Sequence, residues 1–184
     1  MAITDTDLTA VLARYLDRYP EDAPLLEEPA RALANGGSFA SRALYPMHVT
    51  VGALVVCDDS VLLVNHRAYS LLLQPGGHLE PSDPTLLAAA LRELCEETGI
   101  DPGSVRPVSG DPVYVEYGPV PARPEKGEPR HHHLDFGFAF TSETQVLGDI
   151  QQEEVTHAAW YPLGQAEQLV GTRIARAAQA ARTR

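Results

Sequence analysis

An α/β fold, with a mixed β-sheet sandwiched between helices and a helical extension at the N-terminus, is what this 184-residue sequence predicts. Three observations point there. Val-, Leu- and Thr-rich segments separated by short turns begin near residue 47 and recur to about residue 161. Stretches with helical spacing of apolar residues precede and follow them. One sharply delimited helix interrupts the strands, the texture of a mixed sheet covered by helices rather than an all-β barrel.

Leu8, Val11, Leu12, Tyr15 and Leu16 recur at helical spacing behind the capping residues Thr4 and Asp5, and Pro20 stops this first helix. A second helix is expected over Leu25 to Ala34, ended by Asn35-Gly36-Gly37. His48 to Cys57 and Val61 to Asn65 read as a hairpin around Asp58-Asp59-Ser60. Leu71 to Gln74 is a short strand running into a glycine turn at Pro75-Gly76-Gly77. Thr85 to Thr98 is a helix with Asp83 as N-cap, Pro84 in its first turn and Gly99 just past its end. Val113 to Tyr117, Leu134 to Phe140 and Val155 to Tyr161 are expected strands, with a Pro- and charge-rich loop from Gly118 to Arg130. An Ala- and Arg-rich helix over Gln165 to Ala181 follows.

The formal net charge of −11 argues against binding to nucleic acid, because no basic stripe offsets the repulsion of a polyanion. A phosphate ligand remains compatible if a metal ion supplies positive charge. No apolar run approaches the roughly 18 residues of a membrane span. The opening MAITDTDLTA lacks a basic region followed by an apolar stretch, so a secretory leader is not expected. Two cysteines, Cys57 and Cys95, make no disulfide framework, and a cytoplasmic location is expected.

The chemistry concentrates between Gly76 and Ile100. Glu93, Glu96 and Glu97 stand three and four residues apart and share one helix face, while Leu87, Leu91 and Leu94 anchor the neighbouring face. Such a stripe of glutamates is commonly just a solvated surface. The preceding Gly76-Gly77, which lets backbone approach a ligand closely, and the adjoining Arg92 favour a site instead. Three close carboxylates repel one another, and a hard oxygen-seeking cation such as Mg²⁺ removes that penalty. Arg92 can fix a carboxylate rotamer by pairing with it.

This stretch resembles the Nudix family box. Gly77 opens it, and Arg92, Glu93, Leu94, Glu96, Glu97, Gly99 and Ile100 follow in the family's order without a gap. Asp83 stands where the family has Glu, and eight residues rather than seven precede Arg92. Asp83 therefore either supports the arginine and the metal shell, as the family acid does, or only caps the helix. The resemblance covers roughly residues 46 to 165 and implies a Nudix-type α/β/α sandwich, divided as a 1–45 helical extension and a 46–184 Nudix domain. It also implies an enzyme that cleaves a diphosphate linkage in a nucleoside diphosphate derivative or a related small molecule. Glu93, Glu96, Glu97 and the Gly76 carbonyl would bind Mg²⁺, with Mn²⁺ as the substitute, and Arg92 would belong to the catalytic set. The general base would be a box glutamate such as Glu93, or a distant loop acid, for which Glu153 and Glu154 are the candidates.

Outside the box, His131-His132-His133-Leu134-Asp135 enters a strand, so His131, His133 and Asp135 face one way. They read either as a substrate- or metal-contacting row near the box helix or as an ordinary polar strand face. Tyr114 and Tyr117 can stack a base or simply fill strand positions, and Tyr117 joins the candidate substrate contacts. His78 and Glu80 adjoin the glycines as supporting groups, and the acids around Cys95 disfavour its thiolate. The amphipathic N-terminal helices need a surface to cover, either this domain or a second copy in a homodimer. Two competing functions remain: a ligand-sensing Nudix module without turnover, and an isoprenoid diphosphate isomerase, which would need a placed Cys and Glu pair.

Overall fold

The computed structural model describes residues 3–67, 71–124, 127–150 and 155–182. Helix α1 (Asp5–Arg18) starts at a capping box in which Thr4 Oγ1 accepts from the Asp7 amide and the Asp7 carboxylate accepts from the Thr4 amide. Helix α2 (Ala23–Asn35) ends at Gly36, whose φ of 73° a side chain would resist. Both Asp5 carboxylate oxygens then gather the amides of Gly37, Ser38 and Phe39 at 2.6–2.9 Å, fastening the end of α2 to the start of α1.

Strand β1 (Met47–Cys57) organises the sheet. It turns at Asp58-Asp59 into β2 (Ser60–His66), which pairs with β3 (Leu71–Leu73). Nearer its start, β1 pairs antiparallel with β4 (Gly76–His78). Along its other edge it runs parallel to β7 (His131–Ser142) from Met47↔His132 to Val56↔Thr141. β5 (Val105–Pro107) and β6 (Tyr114–Val120) pair with β7, and β8 (Val155–Pro162) pairs with β2. The sheet is therefore mixed. β1 is buried on both faces, which is why it reads as a nearly continuous apolar run.

Two apolar clusters cover the two faces. Val49, Val51, Leu134 and Phe136 face a cluster with Leu94 and Ala90 of helix α3 (Leu86–Thr98) and with Leu8, Leu12, Tyr15, Leu26 and Leu33 of α1 and α2. Leu54, Val56 and Ala139 face Ala166 and Val170 of α4 (Leu163–Val170) and Ile174 and Ala177 of α5 (Arg173–Arg182). The first cluster crosses position 45, so the N-terminal helices share the core of the sheet. Among the described residues no helix is long and apolar enough to cross a membrane.

Four local expectations need correction. The glycine turn is a strand, β4, because Gly76 and Gly77 are held by β1. Helix α3 is capped by Thr85, whose hydroxyl accepts from the Ala88 amide, and Asp83 is occupied elsewhere. β6 and β7 extend towards each other because they pair from Tyr114↔Gly137 to Val120↔His131, which shortens the intervening loop. The C-terminal helix is two helices, broken at Gly171 with φ of 93°.

Candidate active site: carboxylates against a glycine strand

Helix α3 presents its acids to β4. Glu93 and Glu97 are buried, at 7% and 1% exposure, which a solvated stripe would not be. Glu97 Oε2 accepts from the Gly76 amide at 3.0 Å. A Cβ on Gly77 would lie 2.7 Å from the Glu93 carboxyl carbon and both of its oxygens, so only glycine lets this carboxylate sit so close to the strand. On Gly76 a Cβ would meet the Val51 carbonyl oxygen at 2.3 Å. The two glycines are needed for close approach, not for a turn. Glu96 is half-exposed at the cleft mouth.

Arg92 ties the acids together. Its Nη1 reaches Glu93 at 3.0 Å and Glu96 at 2.9 Å, and its Nη2 donates to the His78 carbonyl at 2.9 Å. Its Nε and Nη2 bind both oxygens of Asp83, at 3.1 and 2.9 Å. Asp83 Oδ2 also accepts from the Glu80 amide at 2.7 Å, closing the loop below the helix. Burial would raise the Asp83 carboxyl, but the Arg92 hydrogen bonds, the Glu80 amide and the Arg92 charge hold it below the usual carboxylate range. Asp83 thus supports the arginine. It reaches Arg92 from a loop, so the extra residue between them costs no contact.

A cleft of about 550 Å³ opens over this cluster, lined by Gly77, His78, Glu80, Arg92, Glu93 and Glu96, and also by Ser41 and Arg42. The structure brings Gly76, Arg92, Glu93, Glu96 and Glu97 together. Glu153 and Glu154 lie outside the described residues.

The strand row divides. His131 and His133 form a cluster with His48 of β1 and His78 of β4, with ring centroids 4.7–5.3 Å apart. Through His78 this cluster adjoins the cleft. Burial lowers the pKa of His48, that of His78 to about 2 and that of His133 to about 3, with neighbouring positive charge adding to the effect. Asp135 is instead engaged within the sheet, accepting from Thr50 Oγ1 at 2.8 Å and Tyr114 Oη at 2.7 Å. Burial pushes its carboxyl up against those hydrogen bonds. Tyr114 is buried over Gly137, which has no room for a side chain beneath the ring, so it is a core residue and not a base-stacking platform. Tyr117 turns to the other face, where its hydroxyl donates to Glu28 of α2 at 2.8 Å and its ring stacks on His132. It anchors the N-terminal helices and is not among the cleft-lining residues. Strand alternation found the histidine row but not its partner His48, which carries no local signal because long-range pairing of β1 with β7 sets its position.

The comparisons with known proteins agree with this fold. The NUDIX domain family model matches residues 46–181, and the chain belongs to that family. A probable DHNTP pyrophosphohydrolase of Lactococcus lactis is 31% identical over 99 residues, covering 54% of this chain and 57% of that protein. Phosphatase NudJ of Escherichia coli K12 is 46% identical over 59 residues, covering 31% of this chain and 38% of that protein. The match thus spans little more than half of one relative and well under half of the other. Among solved structures, a Nudix-family hydrolase from Clostridium perfringens superposes with a TM-score of 0.53 at 23% identity, over 74% of this chain and 97% of that one. A C. elegans Ap4A hydrolase superposes with a TM-score of 0.56 at 15% identity, over 74% and 98%. At these identities the two structures support the fold alone.

Proposed function

We propose that this chain hydrolyses a phosphoanhydride bond in a small molecule, a nucleoside diphosphate derivative being the favoured class, with Mg²⁺ as cofactor and Mn²⁺ as its substitute. The observation that carries this reading is the pair of buried carboxylates, Glu93 and Glu97, pressed against a strand whose glycines alone leave room for them. Burying two carboxylates beside a third is unfavourable unless positive charge compensates. Arg92 offsets part of it. The all-oxygen donor set and the side-chain-free cradle at Gly77 fit a hard dication for the rest.

Glu93, Glu96, Glu97 and the Gly76 carbonyl would hold that ion. When bound it would polarise the diphosphate and lower the pKa of an attacking water. The chain's own contribution is positioning and charge. Asp83 fixes Arg92, and Arg92 fixes the rotamers of Glu93 and Glu96. Arg42, which also lines the cleft, supplies a cation for a substrate phosphate. Glu93 takes the water proton, or Glu154, outside the described residues, does so. The name of one relative, a probable DHNTP pyrophosphohydrolase, supports cleavage at a phosphoanhydride. The isomerase reading loses ground because Cys57 is buried and burial, with Asp101 and Glu96 nearby, raises the Cys95 thiol.

Release of phosphate or nucleoside monophosphate from a panel of nucleoside diphosphate derivatives, with Mg²⁺ and with chelator, tests the proposal. Turnover of at least one member with Mg²⁺ and none with chelator is expected. Tight binding of a member without turnover would overturn it in favour of a sensor.

A further inference from the structure

Four imidazoles meet on the sheet face opposite Val49, Val51, Leu134 and Phe136, where β1, β4 and β7 run side by side. The register pairs His48 with His133 and Thr50 with His78, so backbone hydrogen bonds of the sheet fix the positions of all three ring-bearing strands. One ring nitrogen from each of His48, His78 and His133 lies within 4.8 Å of the others. We propose that His48, His78 and His133 form a binding site for a nitrogen-seeking transition-metal dication of the zinc class, distinct from the carboxylate cluster.

Hydrogen bonding favours inward-facing lone pairs. His48 Nδ1 lies 3.1 Å from the Leu44 carbonyl oxygen, which can only accept, so the proton of the neutral ring sits on Nδ1. Its Nε2 is then a lone pair, aimed at His78 Nε2 at 3.2 Å. That separation is close to the roughly 3.3 Å between two nitrogens bound tetrahedrally to one Zn²⁺ at about 2.05 Å. His131 repeats the pattern: Nδ1 lies 2.8 Å from the Pro129 carbonyl oxygen, and Nε2 lies 3.1 Å from His133 Nε2. A ring nitrogen anchored on a main-chain carbonyl is the usual support of a metal-ligating histidine. His131 Nε2 is then an acceptor for the His133 Nε2 proton, so His131 positions His133 and leaves its Nδ1 as the lone pair. Without an ion, each Nε2 pair is held by one proton, and a dication binding His48 and His78 would displace the one between them.

Imidazoles discriminate by ligand type: Zn²⁺, Ni²⁺ and Cu²⁺ favour them, whereas Mg²⁺ favours the acids of α3. Two fixed positive charges act on the cluster, Arg42 and Arg123, and Glu128 pairs with both, at 3.7 and 2.7 Å. The site would also brace the cleft, because Arg92 grips the His78 carbonyl from the other side.

The test uses the full untagged chain stripped with chelator, since a histidine tag would bind the same ions. Calorimetric titration with Zn²⁺ should show one equivalent bound in the presence of excess Mg²⁺. Co²⁺ should give the visible ligand-field absorption of a tetrahedral nitrogen-ligated ion. The paired substitution His78→Gln and His133→Gln should weaken Zn²⁺ binding at least about 100-fold, a larger loss than removing an outer-sphere partner. Glu97→Gln should leave it unchanged. Wild-type protein that binds no stoichiometric Zn²⁺ and gives no Co²⁺ absorption would overturn the proposal, whether or not the variants fold. So would Zn²⁺ binding that survives the paired substitution or vanishes with Glu97→Gln, the latter placing the ion at the acids. Phosphoanhydride turnover is not a readout in any arm, so this site stands or falls separately from the proposed hydrolysis.

Discussion

Glu97 and Asp83 are both buried acids of the site, but their partners differ. Glu97 accepts from the Gly76 amide and faces the proposed cation, while Asp83 spends both oxygens on Arg92. Glu97→Gln keeps size and helix propensity, so the fold should hold. Turnover on a good substrate should fall on the order of 10²-fold or more, with excess Mg²⁺ restoring only part. Helix capping alone would make Asp83→Asn nearly silent, but the structure removes that expectation. The variant should lose roughly 2–3 kcal/mol in urea denaturation, because the charge facing a mostly buried guanidinium is gone. Its turnover should fall about 10-fold or more as Arg92 releases Glu93 and Glu96. Wild-type stability and turnover in Asp83→Asn would reduce that aspartate to a loop residue. The acids, the arginine and the glycines were all legible in the sequence, because their spacing is local to one helix and one short strand. The role of Asp83 was not, since a loop acid that caps and a loop acid that reaches back look the same in one dimension.

At the scale of elements, α5 is latched to the N-terminal helices. Arg176 reaches Asp22 at 2.6 and 3.2 Å and the Tyr15 hydroxyl at 2.6 Å, and lies 4.5 Å over the Tyr19 ring. Tyr15 also donates a short hydrogen bond to Asp22. The Arg176 hydrogen bond, opposed by burial and joined by that of Tyr15, lowers the Asp22 pKa from 3.8. A depressed folded pKa adds stability that is present above the unfolded value and lost as pH falls through the folded one. Asp22→Asn should therefore cost about 1–2 kcal/mol at neutral pH, and the gap from wild type should narrow as pH falls below ~3.8. Urea denaturation at about pH 7 and pH 3 measures both arms, and a gap as large at pH 3 as at pH 7 would deny the carboxylate its part. Helix starts and stops were readable where a cap or glycine marked them, as at Thr4 and Gly36. The break at Gly171 was not: one glycine within a helical pattern is usually tolerated, and only the docking of α4 beside β8 and α5 beside β7 requires the bend.

For the molecule as a whole, the N-terminal helices are structural members. Leu8, Leu12, Tyr15, Leu26 and Leu33 are at most 3% exposed in the cluster that also holds α3. A chain beginning at Tyr45 should melt well below the full chain or aggregate, as expected when several large core side chains vanish together. Unchanged melting and mass would mean the cluster closes without them. The mixed sheet was legible as a class, but its strand order was not, because the pairing of β1 with β7 joins residues as distant as Thr50 and Asp135, 85 positions apart. That separation has a consequence for biosynthesis. The ribosome delivers β1 long before β7, and through that interval the most apolar strand of the protein has its long edge open to any other extended chain. Fast translation or crowded expression should therefore drive losses into inclusion bodies. Slowing synthesis by lowering the temperature should recover soluble protein more than refolding from denaturant does, because partners released in order meet fewer strangers.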